Sequence, residues 1–139
     1  MPTAQHRDPR FLALVATGGA LGTLARWGTA HVLPPAGSWP LATFAVNVAG
    51  SFLLGLLLEA LLRRGAEDAG RAALRLGLGT GFCGGFTTYS SFAVEVDGLL
   101  RDGSAGGAAV YALGTVVAGL LAALAGVALA GARHRESRA

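Results

Sequence analysis

The chain contains no lysine and only one cysteine, Cys83. A lone cysteine excludes an intrachain disulfide and a cysteine-type zinc site. Without lysine, all of the side-chain positive charge rests on 11 arginines, set against 8 acidic residues. Charge is scarce overall, at 14% of residues, and it stands in short clusters separated by long uncharged runs. Arginines placed at the ends of apolar runs do not form a nucleic-acid-binding stripe. The three histidines, His6, His31 and His134, lie outside the centres of those runs, and the sequence offers no nucleophile–base pair. Enzymatic chemistry is therefore not expected. What the chain has in quantity is apolar and small: 53% apolar residues and 22 glycines in 139. That is the composition of one membrane domain, in a chain too short for two ordinary soluble ones. Residues 1–10 are polar and Phe11 opens an apolar run, as in a signal peptide. The run continues to Ala25 without a clear small-residue cleavage site, which favours an uncleaved first span.

The chain is organised around residues 76–95, LGLGTGFCGGFTTYSSFAVE. The segment is apolar enough for a membrane, yet Gly77, Gly79, Gly81, Gly84 and Gly85 crowd its first half. Each interior glycine costs a helix about 1 kcal/mol relative to alanine. Thr87, Thr88, Ser90 and Ser91 crowd the second half. Non-helical backbone at membrane depth must be buried in protein or line a watery cavity. The pattern predicts a third span that starts near Ala72, breaks within residues 79–88 and resumes through Tyr89 to about Leu99. Broken helices free carbonyls and amides to coordinate ions.

Three further spans are predicted, at about residues 11–31, 41–62 and 108–130, each near the 20 or so apolar residues a bilayer requires. In the first, Gly18, Gly22 and Arg26 share a helical face. The glycines suit close helix packing, and Arg26 suits a snorkelling anchor at the span's end. Pro34, Pro35, Gly37 and Pro40 mark a turn. In the second span Thr43, Asn47 and Ser51 recur at i, i+4 and i+8, a polar stripe on an apolar helix that ends near Glu59. An amide in hydrocarbon needs a partner, so the stripe is either an interhelical fastening or a polar track. Tyr89 and Phe92 lie three apart, with Ser91 and Glu95 four apart beside them. Two aromatics so spaced ordinarily pack, though beside an uncharged break they could also turn ring edges into a passage. Glu95 is either an interfacial residue or a functional one. Tyr111 and Thr115 form a polar pair in the fourth span, whose glycines allow close approach. Residues 133–139 read as a charged, frayed tail.

Three stretches carry a family resemblance: GGALGTLAR (residues 18–26), TFAVNVAGSFLLG (residues 43–55) and GTGFCGGFTTYSSF (residues 79–92). With them the chain resembles the small Fluc-type fluoride channels, the CrcB family, along nearly all its length. The resemblance implies an all-α membrane protein of four transmembrane helices with a broken third helix, assembling as an antiparallel dimer with two fluoride pores at its interface. It implies that Asn47 is the pore asparagine, and that Tyr89 and Phe92 are the aromatic pair whose ring edges face the anion. Thr43, Ser91, Glu95, Tyr111 and Thr115 match positions on or near the polar track. Arg26 matches a vestibule arginine. A structural sodium ion at the dimer interface would be held by the backbone carbonyls of Gly84 and Thr87. The implied role is passive, fluoride-selective export across the plasma (inner) membrane of a prokaryote, conferring fluoride resistance. Amide and hydroxyl donors can replace the water of a small, strongly hydrated anion, and an aromatic ring presents a positive edge. Carbonyl oxygens are suitable hard ligands for sodium.

Two features depart from that pattern. Tyr89 stands where the family has phenylalanine. Charge is also lopsided: with four spans, Arg7, Arg10, Arg63, Arg64, Arg71, Arg75, Arg133, Arg135 and Arg138 share one side, and only Arg26 and Arg101 the other. By the positive-inside rule this chain should insert with both termini cytoplasmic. It is then expected to pair with an oppositely oriented sister subunit rather than with a second copy of itself. The alternatives are a small proton-coupled multidrug exporter, which would need an acid that residues 11–33 lack, and an assembly protein without transport.

Overall fold

The computed structural model describes residues 8–35 and 39–136. The polar leader up to residue 7, Gly37 of the predicted turn and the last three residues of the tail lie outside the described residues. The described chain is helical, with no strand.

Helix α1 (Pro9–Val32) begins where Asp8 accepts a hydrogen bond from the Arg10 N–H at 2.9 Å and proline occupies the first turn. It stops as Pro34 and Pro35 follow, since neither can continue the hydrogen-bond ladder. Helix α2 (Leu41–Leu62) has the predicted bounds. Beyond Pro40 the chain has no proline to stop a helix. Helix α6 (Ala105–Glu136) takes in residues 133–136, which had read as a frayed tail.

The third segment differs most from expectation. It opens as α3 (Ala69–Leu74), capped by Asp68, widens into a π-helical stretch (Arg75–Cys83) and closes with a single turn, α4 (Gly84–Phe86). The glycine-rich half therefore stays helical. Helical geometry is lost later, at Thr87, whose backbone is extended (φ −80°, ψ 161°), and α5 (Ser90–Arg101) follows. The glycines did not break the helix because their lack of side chains lets α1 pack against it. A Cβ on Gly18 would stand 2.1 Å from the Gly77 carbonyl oxygen, and one on Gly22 would stand 2.1 Å from that of Phe82. From the other side, a Cβ on Gly85 would come within 2.3 Å of the Gly19 carbonyl oxygen. The small residues predicted to pack helices thus lie on both sides of one seam.

A second seam joins α2 to α6 along their length. There a Cβ on Gly55 would meet the Ala123 carbonyl oxygen at 2.3 Å, and one on Gly126 that of Phe52 at 2.3 Å. Gly65 and Gly103 have positive φ (90° and 76°) and make the turns that follow α2 and α5. Leu41–Leu62 and Ala105–His134 are each long and apolar enough to cross a membrane. The interior mixes small and hydroxyl-bearing residues, Thr43 and Thr115 among them, with a few larger ones such as Val46 and Leu99, while many leucines and valines, such as Leu24, Leu113 and Val116, face outward. An exterior this apolar suits lipid or a partner chain rather than water. A packed cluster, Leu99, Ala108 and Tyr111 with Phe44, Phe92 and Val96, joins α2, α5 and α6.

Gly22→Ala forces a methyl group into backbone, and overpacking of this kind costs about 1–3 kcal/mol. Gly28→Ala, on the same helix, meets nothing within 4 Å and should be neutral or mildly stabilising. Melting of the two variants in detergent checks this, and equal melting temperatures would refute the seam. At the start of α3 the Asp68 carboxylate accepts from the Arg71 N–H (2.8 Å) and guanidinium (2.9 Å), which hold its pKa below the ordinary 3.8. Its contribution is present above that ordinary value and is lost as pH falls through the lowered one. Protection of the Arg71 amide, taken relative to its intrinsic exchange rate at each pH, should therefore fall in that acid window, and Asp68→Asn should remove that fall.

Candidate functional site

The interruption at residues 87–89 leaves peptide groups that no helix satisfies, and side chains from α1 and α2 supply their partners. Asn47 on α2 grips Thr88 from both sides. Its Oδ1 accepts the Thr88 N–H at 2.8 Å and its Nδ2 donates to the Thr88 carbonyl at 3.0 Å. A side-chain amide carries the same donor and acceptor pair as a peptide, so Asn47 stands in for one strand of backbone. One Nδ2 hydrogen remains for another acceptor. Arg26 on α1 does not snorkel away: its Nε donates to the Gly85 carbonyl at 3.1 Å, closing the end of α4. The Thr87 hydroxyl bonds back to the Cys83 carbonyl at 2.9 Å.

Thr88 was not among the residues expected to matter, and it is the hub. Its hydroxyl oxygen accepts from the Ser91 N–H (3.1 Å), capping α5, and its hydroxyl lies 3.2 Å from the Ser91 hydroxyl. The sequence did carry a signal for this, a threonine three residues ahead of Ser91 at the start of a helix. Two cavities flank the interruption. One, of about 440 Å³, is lined by Asn47, Ser51, Thr87, Tyr89, Phe92 and Thr115 among others. The other, of about 390 Å³, is lined by Arg26, Thr43, Ser91 and Glu95 among others. Among the described residues Thr88 alone lines both.

Glu95 is neither stranded in the bilayer nor splayed at a helix end. Its two oxygens accept from Thr43 Oγ1 (2.6 Å) and from the Tyr111 hydroxyl (2.7 Å), tying α5 to α2 and α6. The buried Thr115 hydroxyl donates to the Tyr111 carbonyl one turn earlier on its own helix, at 2.7 Å. Of the stripe on α2, Thr43 and Asn47 are thus both interhelical fastenings and cavity walls, and Ser51 is a cavity wall. Of the adjacent serines, Ser91 faces the cavity with Glu95 while Ser90 is exposed.

The aromatic pair is divided. Phe92 packs on the Tyr111 ring with centroids 5.5 Å apart. Tyr89, with its ring centre 6.1 Å from that of Phe92, is 82% exposed at the mouth of the larger cavity. Gly84 and Thr87, the expected sodium ligands, line the same cavity. The Thr88 N–H, which a continuing helix would direct at the Gly84 carbonyl, is bound to Asn47 instead, and Gly84 is exposed with open space where a Cβ would stand. The extended backbone of Thr87 takes its carbonyl out of the helical ladder. Two such carbonyls fit a hard monovalent cation.

Fold and site together define a class: a small all-helical membrane protein that gathers uncharged donors and aromatic rims around an interrupted helix. Residues 13–127 match the family model described as CrcB-like protein, Camphor Resistance (CrcB), and the chain belongs to that family. The fluoride-specific ion channel FluC 2 of Leifsonia xyli subsp. xyli is 46% identical over 127 residues, spanning 91% of this chain and 88% of its own. Its namesake from Rhodococcus jostii is 52% identical over 116 residues (84% and 95%). The fluoride-specific ion channel FluC of Chlorobium phaeobacteroides is 44% identical over 120 residues (86% and 91%).

Asn47→Leu removes both bonds to Thr88 and leaves its peptide groups unpaired, at about 1–3 kcal/mol each. The variant should melt well below the wild type in detergent. Ser51→Ala, one turn along the same stripe, should not. Equal melting of Asn47→Leu and wild type would remove the clamp from the account.

Proposed function

We propose that this chain is a subunit of a fluoride-selective channel that lets fluoride leave the cell passively. The observation that carries the reading is the series of uncharged donors joined through Thr88 between two cavities, in a chain whose family relatives bear the name fluoride-specific ion channel. A multidrug exporter of the proton-coupled type has no support, since α1 holds no acidic residue.

In this reading four spans cross the membrane, the third interrupted at residues 87–89, and two subunits pair antiparallel. The outward-facing apolar surface and the exposed Tyr89 and Gly84 are what such a partner would cover. Fluoride passes from the Arg26 vestibule along Thr43, Ser91, Glu95, Tyr111 and Thr115, meeting the remaining Asn47 N–H and the edges of Phe92 and Tyr89. Of these groups the Ser91 hydroxyl and the second Asn47 N–H are the donors not already given to a neighbour, and they would replace part of its hydration, while Arg26 stays at the vestibule on the Gly85 carbonyl, so that no cation inside the track traps the ion. Sodium, held by the Gly84 and Thr87 carbonyls of both subunits, would supply a fixed positive charge at the junction. The membrane potential is worth about 2.3 kcal/mol per charge per 100 mV, which drives an anion out of a negative interior. Both termini would lie in the cytoplasm, a reading supported by the arginine bias, which also favours a sister subunit of opposite orientation.

Vesicles carrying the protein, with any sister subunit supplied, should release fluoride to an electrode and retain chloride. Release of both alike, or of neither, overturns the reading. Ser91→Ala removes a hydroxyl donor to the ion, and a hydrogen bond to a charged partner is worth about 1.5–3 kcal/mol, so flux should fall roughly ten- to hundredfold. Tagged chain expressed alone should insert in one orientation, and equal tagging from both sides with full activity would favour a homodimer.

A further inference from the structure

At the far end of the α2–α6 seam lies a cavity that the conduction pathway does not use. It measures about 380 Å³, and its rim is formed by Arg63, Arg64, Arg133 and His134. Its floor, Leu56, Ala60 and Ala130, is apolar and lies one to two turns deeper. Both helices that form it pass the length and composition test for crossing a membrane, and the cationic residues sit at or just past their ends, Leu62 and His134. That is the depth of lipid headgroups.

The bland explanation is that cations complement the partial negative charge at two helix C-termini, worth about half an elementary charge each. Three arginines exceed that need. The one carboxylate with a described bond at the site, Glu59, is used: it bonds Arg63 Nε at 2.5 Å and is largely buried. This pairing lays the Arg63 guanidinium across Gly131, where a Cβ would come within 3.1 Å of Nη2. Arg63 is therefore fixed, with glycine as its bed. A positively charged cavity between spanning helices, with an apolar floor for acyl carbons, matches the headgroup and glycerol region of an anionic lipid.

We propose that this pocket binds the phosphate of an anionic phospholipid. The lipid straddles α2 and α6, its phosphate held by Arg63, Arg64 and Arg133 and its first methylenes resting on Leu56, Ala60 and Ala130. The proposal rests on the membrane reading of the chain, and binding is read without reference to ion flux.

Full-length protein in a neutral detergent is titrated with short-chain phosphatidylglycerol, short-chain phosphatidylcholine and inorganic phosphate, and bound copies are counted by native mass spectrometry. One saturable phosphatidylglycerol per chain is expected, with phosphatidylcholine weaker by about tenfold or more. Arg64→Gln with Arg133→Gln should weaken phosphatidylglycerol by a similar factor. Arg10→Gln with Arg101→Gln, an equal loss of charge elsewhere, should leave it unchanged. If the first pair does not elute as the wild type on gel filtration, Arg133→Gln alone is measured and should weaken binding in the same direction. Equal loss in both pairs, displacement of the lipid by inorganic phosphate alone, or no saturable copy overturns the proposal.

Discussion

An interrupted helix leaves peptide groups without partners, and within hydrocarbon only protein can supply them. At residues 87–89 they come from side chains on other helices. Asn47 takes both the N–H and the C=O of Thr88, and Arg26 takes the Gly85 carbonyl. The Thr88 hydroxyl starts the next helix by accepting the Ser91 N–H. The same groups line the two cavities, so the contacts that stabilise the interruption also form the site. This explains why hydrogen-bonding residues, rather than charges, cluster there. A lone charge would need a counter-charge at high desolvation cost, whereas an amide needs only a peptide. Glu95 and Arg26 are the exceptions: Glu95 is held by two hydroxyls and Arg26 by the Gly85 carbonyl.

For Asn47 and Arg26 to reach Thr88 and Gly85, α1 and α2 must lie almost against the interrupted segment. Lipid offers no hydrophobic drive between helices, so close van der Waals contact has to supply the association. The glycine seams meet that need. Gly18 and Gly22 put α1 against the π-helical stretch, backbone to backbone, and Gly55 and Gly126 do the same for α2 and α6. Many bulky residues that a soluble protein would bury are displaced to the exterior. The wider turn of the π-helix precedes the interruption, as such bulges often do at functional positions.

Much of this was legible from local pattern. The i, i+4, i+8 stripe of Thr43, Asn47 and Ser51 declared a polar face on α2, and the proline cluster declared the end of α1. The expected window for a break, residues 79–88, is drawn around the glycines because helix propensity counts a glycine as a weakness, while packing uses it as a surface; helical geometry is lost only at the end of that window, at Thr87. Thr88 escaped notice because its neighbours offered four hydroxyls with nothing local to rank them. Arg26 read as a snorkelling anchor from its position near a span end, yet its partner is a carbonyl on another helix.

The sequence by itself determined which stretches are apolar helices, where polar groups recur on their faces and how positive charge is divided between their ends, because these follow from periodicity and composition within one or two dozen residues. Only the tertiary structure decided what each polar group touches. Asn47 meets Thr88 across 41 residues, Thr43 meets Glu95 across 52 and Arg26 meets Gly85 across 59. A hydrogen bond is satisfied by proximity and angle, and over such separations both are set by how the helices pack.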